Sequence, residues 1–233
     1  LCLAADHTDF CESFTPELVT FASDSATMKA VISPRTDSMV RMFNVGDFED
    51  CEFDLNEDAP PRATGSNSWL EWLDARGTPS AHWSNYVRGS VHHAQMHHDV
   101  NVGFDLLIDS NIPPASGASS SSALATCASI AIRLVNNLPL ERRSLVEEIA
   151  NAEWYVGTRG GMMDHATMMF AEAGKMLRLT FRPFSAQPID SSTQLANYRF
   201  VTIFTHPSDK GRSTKLAFNA RALAARDVIP PVS

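Results

Sequence analysis

Three short segments hold the residue types that could do chemistry. In the first, Asp6-His7-Thr8-Asp9, two carboxylates and an imidazole follow directly after the apolar residues 1–5. The second is a serine-rich loop over residues 116–122, and the third is a glycine-rich loop over residues 158–163 that leads into Asp164. Loops positioned by a rigid scaffold carry a large share of binding and catalytic groups. We therefore expect a ligand site where these segments meet.

The serine-rich loop has the surroundings that an anion site needs. Residues 103–108 predict a short buried strand before it, and residues 124–135 predict an apolar helix after it. The first turn of a helix presents unpaired backbone N–H groups, and small residues let phosphate oxygens approach them. No Gly-Lys-Ser/Thr follows and the glycine spacing differs from the dinucleotide fingerprint, so the loop is neither of those phosphate sites. A flexible Ser/Gly linker is the alternative interpretation.

The run Pro113-Pro114-Ala115-Ser116-Gly117-Ala118-Ser119-Ser120-Ser121-Ser122-Ala123 resembles the second signature of the GHMP small-molecule kinases. Galactokinase, homoserine kinase, mevalonate kinase and phosphomevalonate kinase make up this superfamily. Residues 6–10 are similar to the Glu-His-Thr-Asp-Tyr sugar signature of galactokinases, and residues 83–89 to their Trp-x-Asn-Tyr-x-x-Gly segment. Residues 153–165 resemble the catalytic loop, in a Gly-Thr-x-Gly-Gly-x-Met-Asp form closer to N-acetylgalactosamine kinases.

The resemblance implies a sugar-1-kinase that uses ATP and Mg²⁺ to phosphorylate galactose or N-acetylgalactosamine at the anomeric hydroxyl, giving a sugar 1-phosphate. It implies Asp164 as the general base and Ser121 with Glu153 as the Mg²⁺ ligands. The sugar would be bound by Asp6, His7, Asp9, Gly161 and Asp164. ATP would be bound by Pro114, Ser116, Gly117, Ala118, Ser119, Ser120, Ser121 and Ser122.

The resemblance also implies an α+β fold. Residues 1–190 would form a GHMP-kinase-like amino-terminal domain of the ribosomal protein S5 domain 2-like type, and residues 191–233 would begin a ferredoxin-like second domain. The sequence pattern predicts strands at 1–5, 176–181 and 200–205, and a hairpin that joins 30–32 to 39–43. It predicts a surface loop over 49–67 and helices at 68–74, 83–98, 124–135, 144–154 and 164–173, with a capping box from Ser144 to Glu147.

Several residues depart from the family pattern or have simpler interpretations. Asp6 stands where Glu is usual, Ala118 and His165 replace common residues, and the third, glycine-rich signature is absent. The family's active-site arginine would fall just upstream of Leu1, so we expect a chain truncated at both ends. Asp164 could be a helix N-cap, and Asp9 could cap a loop or be a surface carboxylate. The alternative function is a catalytically inactive galactokinase-like protein that binds sugar and ATP, and a GHMP kinase for a non-sugar alcohol is a third.

The amino-acid composition limits the classes of ligand that the protein can bind and where it can be located. With 19 Lys and Arg against 27 Asp and Glu, the net charge of −8 argues against nucleic acid and anionic membrane as ligands. No apolar run approaches the roughly 20 residues that span a bilayer, and no signal peptide is evident, so a cytoplasmic location is expected.

The scattered cysteines predict free thiols. His93 and His97 have zinc-pair spacing, but a polar helix face is the preferred interpretation.

Overall fold

The computed structural model describes residues 1–4, 8–9, 15–190, 193, 195, 197–203, 205–206 and 211–227, without the side chains of 212, 226 and 227. The described strands are β1 (Cys2–Ala4), β2 (Leu18–Thr20), β3 (Met28–Pro34), β4 (Met39–Asn44), β5 (Cys51–Asp54), β6 (Phe104–Ser110), β7 (Met176–Phe181) and β8 (Phe184–Ile189). The described helices are α1 (Ser68–Arg76), α2 (Ser84–His97), α3 (Ser120–Val135), α4 (Arg142–Glu153), α5 (Met163–Phe170) and α6 (Arg212–Asp227), with a 3₁₀ turn at Trp154–Val156.

Two compact units divide the chain, and neither is continuous in sequence. Unit 1 contains Leu1–Ser25, Pro113–Ser120 and Arg159–Ser233, and unit 2 contains Ala26–Ile112 and Ser121–Thr158. The expected seam after residue 190 therefore coincides with no boundary between these units, and it stays a prediction.

Unit 2 is built on a four-stranded sheet in the order β3-β6-β4-β5. Strand β6 runs antiparallel to β3 and parallel to β4. The predicted hairpin is therefore wrong, because its two strands exist but β6 lies between them. The connection crosses the start of β6 at Gly103, where a Cβ atom would overlap the backbone of Asp37 and Met39. A turn signal in the sequence cannot reveal a third strand that is 70 residues away.

The core of unit 2 lies between one face of this sheet and its helices. Val40, Met42, Phe104 and Leu106 alternate toward the core, as the period of two residues in a strand requires. Residues of α2 and α3 cover them, and Val87, Val91 and Ile132 are fully buried. The predicted surface loop over 49–67 is wrong at its start, since β5 pairs with β4.

Helix α4 begins earlier than its sequence pattern indicates. Glu141 is the N-cap, and its carboxylate accepts hydrogen bonds from the backbone N–H groups of Arg143 (3.0 Å) and Ser144 (2.7 Å). The predicted capping box at Ser144 is wrong, because Glu141 is the N-cap residue and Ser144 already lies inside the helix. The longer carboxylate side chain of Glu141 reaches two donors at once.

Unit 1 has a four-stranded antiparallel sheet in the order β1-β2-β7-β8. The predicted strand at 176–181 is confirmed, whereas β8 was not predicted, since Pro183 and Pro188 interrupt its pattern. The strand predicted at 200–205 is not observed at its described residues. Phe200, Val201 and Ile203 are exposed, and a strand without a partner is not stable.

Candidate active site

The serine-rich loop has an unusual backbone. Ala115, Gly117 and Ser119 have φ values of 54°, 77° and 59°, so residues with positive φ alternate along it. Such alternation turns successive N–H groups toward one concave surface, the arrangement known as an anion-binding nest. The Ser116 hydroxyl donates to the carbonyl of Pro113 (2.7 Å) and accepts from the N–H of Ala118 (3.3 Å), which fixes the turn. These internal hydrogen bonds argue against the alternative interpretation of the loop as a flexible Ser/Gly linker.

Helix α3 starts four residues before the segment predicted from periodicity, so Ser120, Ser121 and Ser122 form its first turn. The Ser122 side chain is buried and its hydroxyl donates to Glu153 Oε2 at 3.0 Å. Ser121 is hydrogen bonded to the Tyr86 hydroxyl. The pKa of Tyr86 is raised, first by burial and then by the negative charge of Glu153. Ser121 and Glu153, the expected Mg²⁺ ligands, thus both have Tyr86 beside them in unit 2.

The donor set around Glu153 suits Mg²⁺. One carboxylate and one hydroxyl are hard oxygen ligands, and Mg²⁺ usually takes few protein ligands and completes its shell with phosphate and water. Within the described residues, no three His, Cys, Asp or Glu side chains are grouped so that they could hold a metal by themselves. A metal held by Ser121 and Glu153 would complete its shell with phosphate oxygens or water.

In unit 1, Asp9 lies at the amino end of the helix that carries Asp164. Asp9 Oδ2 accepts a hydrogen bond from the backbone N–H of Met163 at 2.9 Å, and its side chain is buried. A Cβ atom on Gly161 would overlap the Asp9 carboxylate, so glycine is required there. The surface-carboxylate interpretation of Asp9 is therefore wrong, whereas its hydrogen bond to Met163 agrees with the loop-capping interpretation. Asp164 is not the N-cap residue of α5, because Met162 holds that position.

Two further contacts fix this loop and its helix inside unit 1. The backbone N–H of Arg159 donates to Asn219 Oδ1 of α6 at 2.9 Å. The Thr167 hydroxyl of α5 donates to the Thr20 hydroxyl of β2 at 2.9 Å, and both side chains are buried. Asn219 was not predicted as a functional residue, although the Phe-Asn-x-Arg pattern around it resembles a family segment. The Arg159 side chain is partly buried, and its Nη1 is withdrawn from solvent.

The structure groups the predicted site residues in two sets. Asp9, the loop at Pro113–Ser120, Gly161 and Asp164 belong to unit 1. Ser121, Ser122 and Glu153 belong to unit 2. Asp6 and His7, predicted to bind the sugar, lie outside the described residues. Asp9 and Gly161 are in contact, as are Ser122 and Glu153, so each set contains at least one direct link that the sequence did not predict.

The histidines of α2 have structural partners. The His93 and His97 rings are 4.7 Å apart, and His93 also meets Trp69 edge-on at 5.0 Å. His98 Nε2 lies 3.2 Å from Glu148 Oε2, which the buried Arg133 also contacts. These contacts join α2 to α1, α3 and α4 and give the cluster a structural role. The predicted polar helix face is wrong for His92 and His93, because both side chains are buried.

Comparison with known families and structures agrees with this geometry. Residues 85–172, from α2 to just beyond α5, match the family model described as the GHMP kinases N-terminal domain. The chain carries a GHMP kinase N-terminal domain. The resemblance drawn from four short motifs is thereby confirmed, and so is the mixed α and β fold class.

Curated relatives of this GHMP kinase domain include two galactokinases. The chain is 32% identical over 189 residues to galactokinase of Chloroflexus aurantiacus, covering 80% of the chain and 43% of the relative. It is 33% identical over 193 residues to galactokinase of Chloroflexus aggregans, covering 82% of the chain and 44% of the relative. The chain thus spans less than half the length of these relatives.

Solved structures show the same fold. Lactococcus lactis galactokinase complexed with galactose superposes with a TM-score of 0.65 at 24% identity, covering 81% of this chain and 44% of that one. Methanococcus jannaschii mevalonate kinase superposes with a TM-score of 0.53 at 14% identity, covering 82% of this chain and 54% of that one.

No described helix of the GHMP kinase domain is long and apolar enough to cross a membrane.

Proposed function

We propose that this GHMP kinase domain is the ATP- and sugar-binding part of a sugar-1-kinase. It would transfer the γ-phosphoryl group of ATP to the anomeric hydroxyl of galactose or N-acetylgalactosamine. The observation that carries the proposal is the contact of Asp9 with the Gly161–Met163 turn, one residue before Asp164. This contact supports the proposal, because Asp9 has a polar side chain suited to sugar hydroxyls and holds the residue before Asp164, whose carboxylate is suited to deprotonate one.

The proposed reaction transfers one phosphoryl group. The anomeric oxygen attacks the γ-phosphorus, the hydroxyl proton passes to an Asp164 oxygen, and the bond from the γ-phosphorus to the leaving oxygen of ADP breaks. Little covalent chemistry is left to the protein, so positioning and neutralisation of charge supply most of the rate. Asp9 would orient the sugar while its Oδ2 also holds the Met163 N–H.

The phosphates of ATP would lie on the nest between Ala115 and Ser119, at the start of α3. Backbone N–H groups and the helix dipole supply positive potential without a charged side chain, which fits a chain of net charge −8. Bound Mg²⁺ would supply neutralisation of the developing charge on the phosphates. Glu153, oriented by the Ser122 hydroxyl, and Ser121 would hold it.

The test is release of ADP in a coupled assay over a panel of hexoses and hexosamines, with the protein expressed from its native gene. We expect turnover with galactose or N-acetylgalactosamine, and a loss of at least about 10²-fold in kcat for Asp164→Asn. Absence of turnover on every sugar, or full activity of the variant, would exclude a sugar kinase. Binding of ATP and sugar by calorimetry without turnover would instead support the regulatory binding protein.

A further inference from the structure

Helix α1 packs against the 3₁₀ turn Trp154–Val156, which lies inside unit 2. Trp69 of α1 is buried, and its Nε1–H donates to the carbonyl oxygen of Asn151 at 2.8 Å. One helical turn later, the Trp72 ring stacks on the ring of Tyr155, with centroids 6.1 Å apart and planes 20° apart. Tyr155 is 1% exposed, so the middle residue of the 3₁₀ turn lies under α1.

Arg76, the last residue of α1, extends the same contact. Its Cζ lies 4.7 Å from the Tyr155 ring centroid and 5.7 Å from the Trp72 ring centroid. A guanidinium over aromatic faces is attracted by their quadrupoles, more so where the rings are withdrawn from water. Asp58 Oδ2 lies 3.4 Å from Arg76 Nη2, so a salt bridge also holds the guanidinium.

The chain after α1 touches the residue that follows the 3₁₀ turn. Gly157 has φ +89°, and a Cβ atom on it would lie 2.7 Å from Thr78 Cγ2. On the opposite side of the turn, a Cβ on Gly89 of α2 would lie 2.6 Å from the carbonyl oxygen of Ala152 and 2.7 Å from Tyr155 Cβ. The turn is therefore held between α2 and the segment formed by Trp72, Arg76 and Thr78, which we call the α1 clamp.

The residues on either side of the turn are the ones that the proposed reaction uses. Glu153, the expected Mg²⁺ ligand, directly precedes Trp154, and Gly157 begins the loop that runs on to Asp164. A shift of Tyr155 would therefore move Glu153 relative to Ser121 and Ser122, and would move the start of the catalytic loop. A displacement of this kind is costly, since the rate of phosphoryl transfer depends on geometry within about 1 Å.

We propose that Arg76 and Thr78 are positioning residues of the phosphoryl-transfer site: through Tyr155 and Gly157 they fix Glu153 and the start of the catalytic loop. This inference rests on the proposed function for its kinetic consequence. The packing itself is independent of any activity. None of the four family motifs includes residues of α1, so the inference assigns this helix a function that the motifs do not indicate.

The test combines Arg76→Ala with the milder Thr78→Ser, which removes only the methyl group that touches Gly157. Arg62→Ala is the matched control, because Arg62 pairs with the exposed Asp99 at 2.9 Å in the same unit and touches neither Tyr155 nor Gly157 in the described contacts. Hydrogen exchange is followed by mass spectrometry over residues 154–163 in the protein without ligands. We expect about tenfold faster exchange there for Arg76→Ala, a smaller change in the same direction for Thr78→Ser, and none for Arg62→Ala.

Kinetics provide the second readout. We expect Arg76→Ala to raise the Mg²⁺ concentration for half-maximal rate about tenfold and to lower kcat, with the sugar KM unchanged. Unchanged exchange in both variants would overturn the clamp, as would a change in sugar KM alone. If the unmodified protein phosphorylates no sugar, the proposed function fails, but the exchange experiment still decides whether the clamp exists. If Arg76→Ala does not fold, Thr78→Ser carries the test.

Discussion

At the scale of single residues, the main finding is that several candidate side chains are already engaged with the protein. Asp9 accepts a hydrogen bond from the backbone N–H of Met163 with its Oδ2, so this carboxylate holds the turn that precedes Asp164. Ser122 donates its hydroxyl to Glu153, so it orients this carboxylate. Such residues act on the chemistry through their neighbours as well as by direct contact.

The adjacent glycines Gly160 and Gly161 offer a matched pair of substitutions. A Cβ on Gly161 would overlap the Asp9 carboxylate, whereas a Cβ on Gly160 would meet nothing within 4 Å. We expect Gly161→Ala to displace Asp9 and to lower kcat/KM for the sugar by about 10²-fold or more, and Gly160→Ala to stay close to the unmodified protein. Steady-state kinetics with both variants checks this, and equal losses in the two would contradict it.

Substitution of Glu153 tests the metal site. In Glu153→Gln the Ser122 hydroxyl keeps an acceptor, but the charge that would bind Mg²⁺ is gone. We expect the Mg²⁺ concentration for half-maximal rate to rise about tenfold, with little change in thermal stability. Glu147→Gln, an exposed position on the same helix, is the control. An unchanged Mg²⁺ dependence in Glu153→Gln would remove this residue from the site.

At the scale of elements, the sequence was informative where a local rule decides the structure. Helix α2 and strand β7 were predicted within one residue, since the spacing of their apolar residues follows a single period. The position of β6 between β3 and β4 could not be predicted, because pairing over 70 residues has no local signal. The cap at Glu141 was missed for a different reason, since Ser144 and Glu141 could each be the N-cap residue of α4.

The same distinction applies to the candidate site. The serine-rich loop and the acidic residues Asp9, Glu153 and Asp164 were identified from their types and their family motifs, whereas the alternating positive φ values at residues 115–119 were not predicted. The links from Asp9 to Gly161 and from Arg159 to Asn219 were not, because they join segments more than 50 residues apart. Nothing in the sequence around Thr78 indicates its contact with Gly157.

The nucleotide loop makes a prediction at this scale. Gly117 has φ +77°, a conformation that costs a β-branched residue about 1 kcal/mol or more. Gly117→Val should therefore distort the nest and raise the KM for ATP about tenfold, with the sugar KM little changed. Gly65→Val, in an open surface position of unit 2, is a control for the general effect of the substitution. An ATP KM equal to that of the unmodified protein would show that the nest does not bind phosphate.

At the scale of the whole molecule, two buried histidines link stability to pH. Burial lowers the pKa of His92 to about 4 and the pKa of His93 to about 3, from 6.5. Gln95 Nε2 donates to the carbonyl of Leu55, so Gln95 Oε1 faces His92 Nδ1 and the ring carries its proton there. The folded protein thus holds His92 neutral, with Nε2 unprotonated.

Stability should fall as the solution becomes acidic. Between pH 6.5 and about 4 the unfolded chain binds protons that the folded protein excludes, so this part of the stability is complete above pH 6.5 and decreases below it. Each residue contributes roughly 1.4 kcal/mol per pH unit at most. Urea unfolding at pH 7 and pH 5 measures the difference, and His92→Gln should reduce it. His206→Gln, at an exposed position, should leave it unchanged, and an equal effect of both variants would contradict this assignment.

The placement of β6 also sets the order in which the protein can fold during synthesis. Strands β3 and β4 have left the ribosome long before residues 104–110, and neither can complete its pairing until β6 arrives between them. Unit 1 waits longer, because Leu18 of β2 pairs with Leu179 of β7. Nascent chains that stop before residue 176 would therefore expose an unpaired β2 edge, and this GHMP kinase domain should depend on chaperones most strongly during that interval.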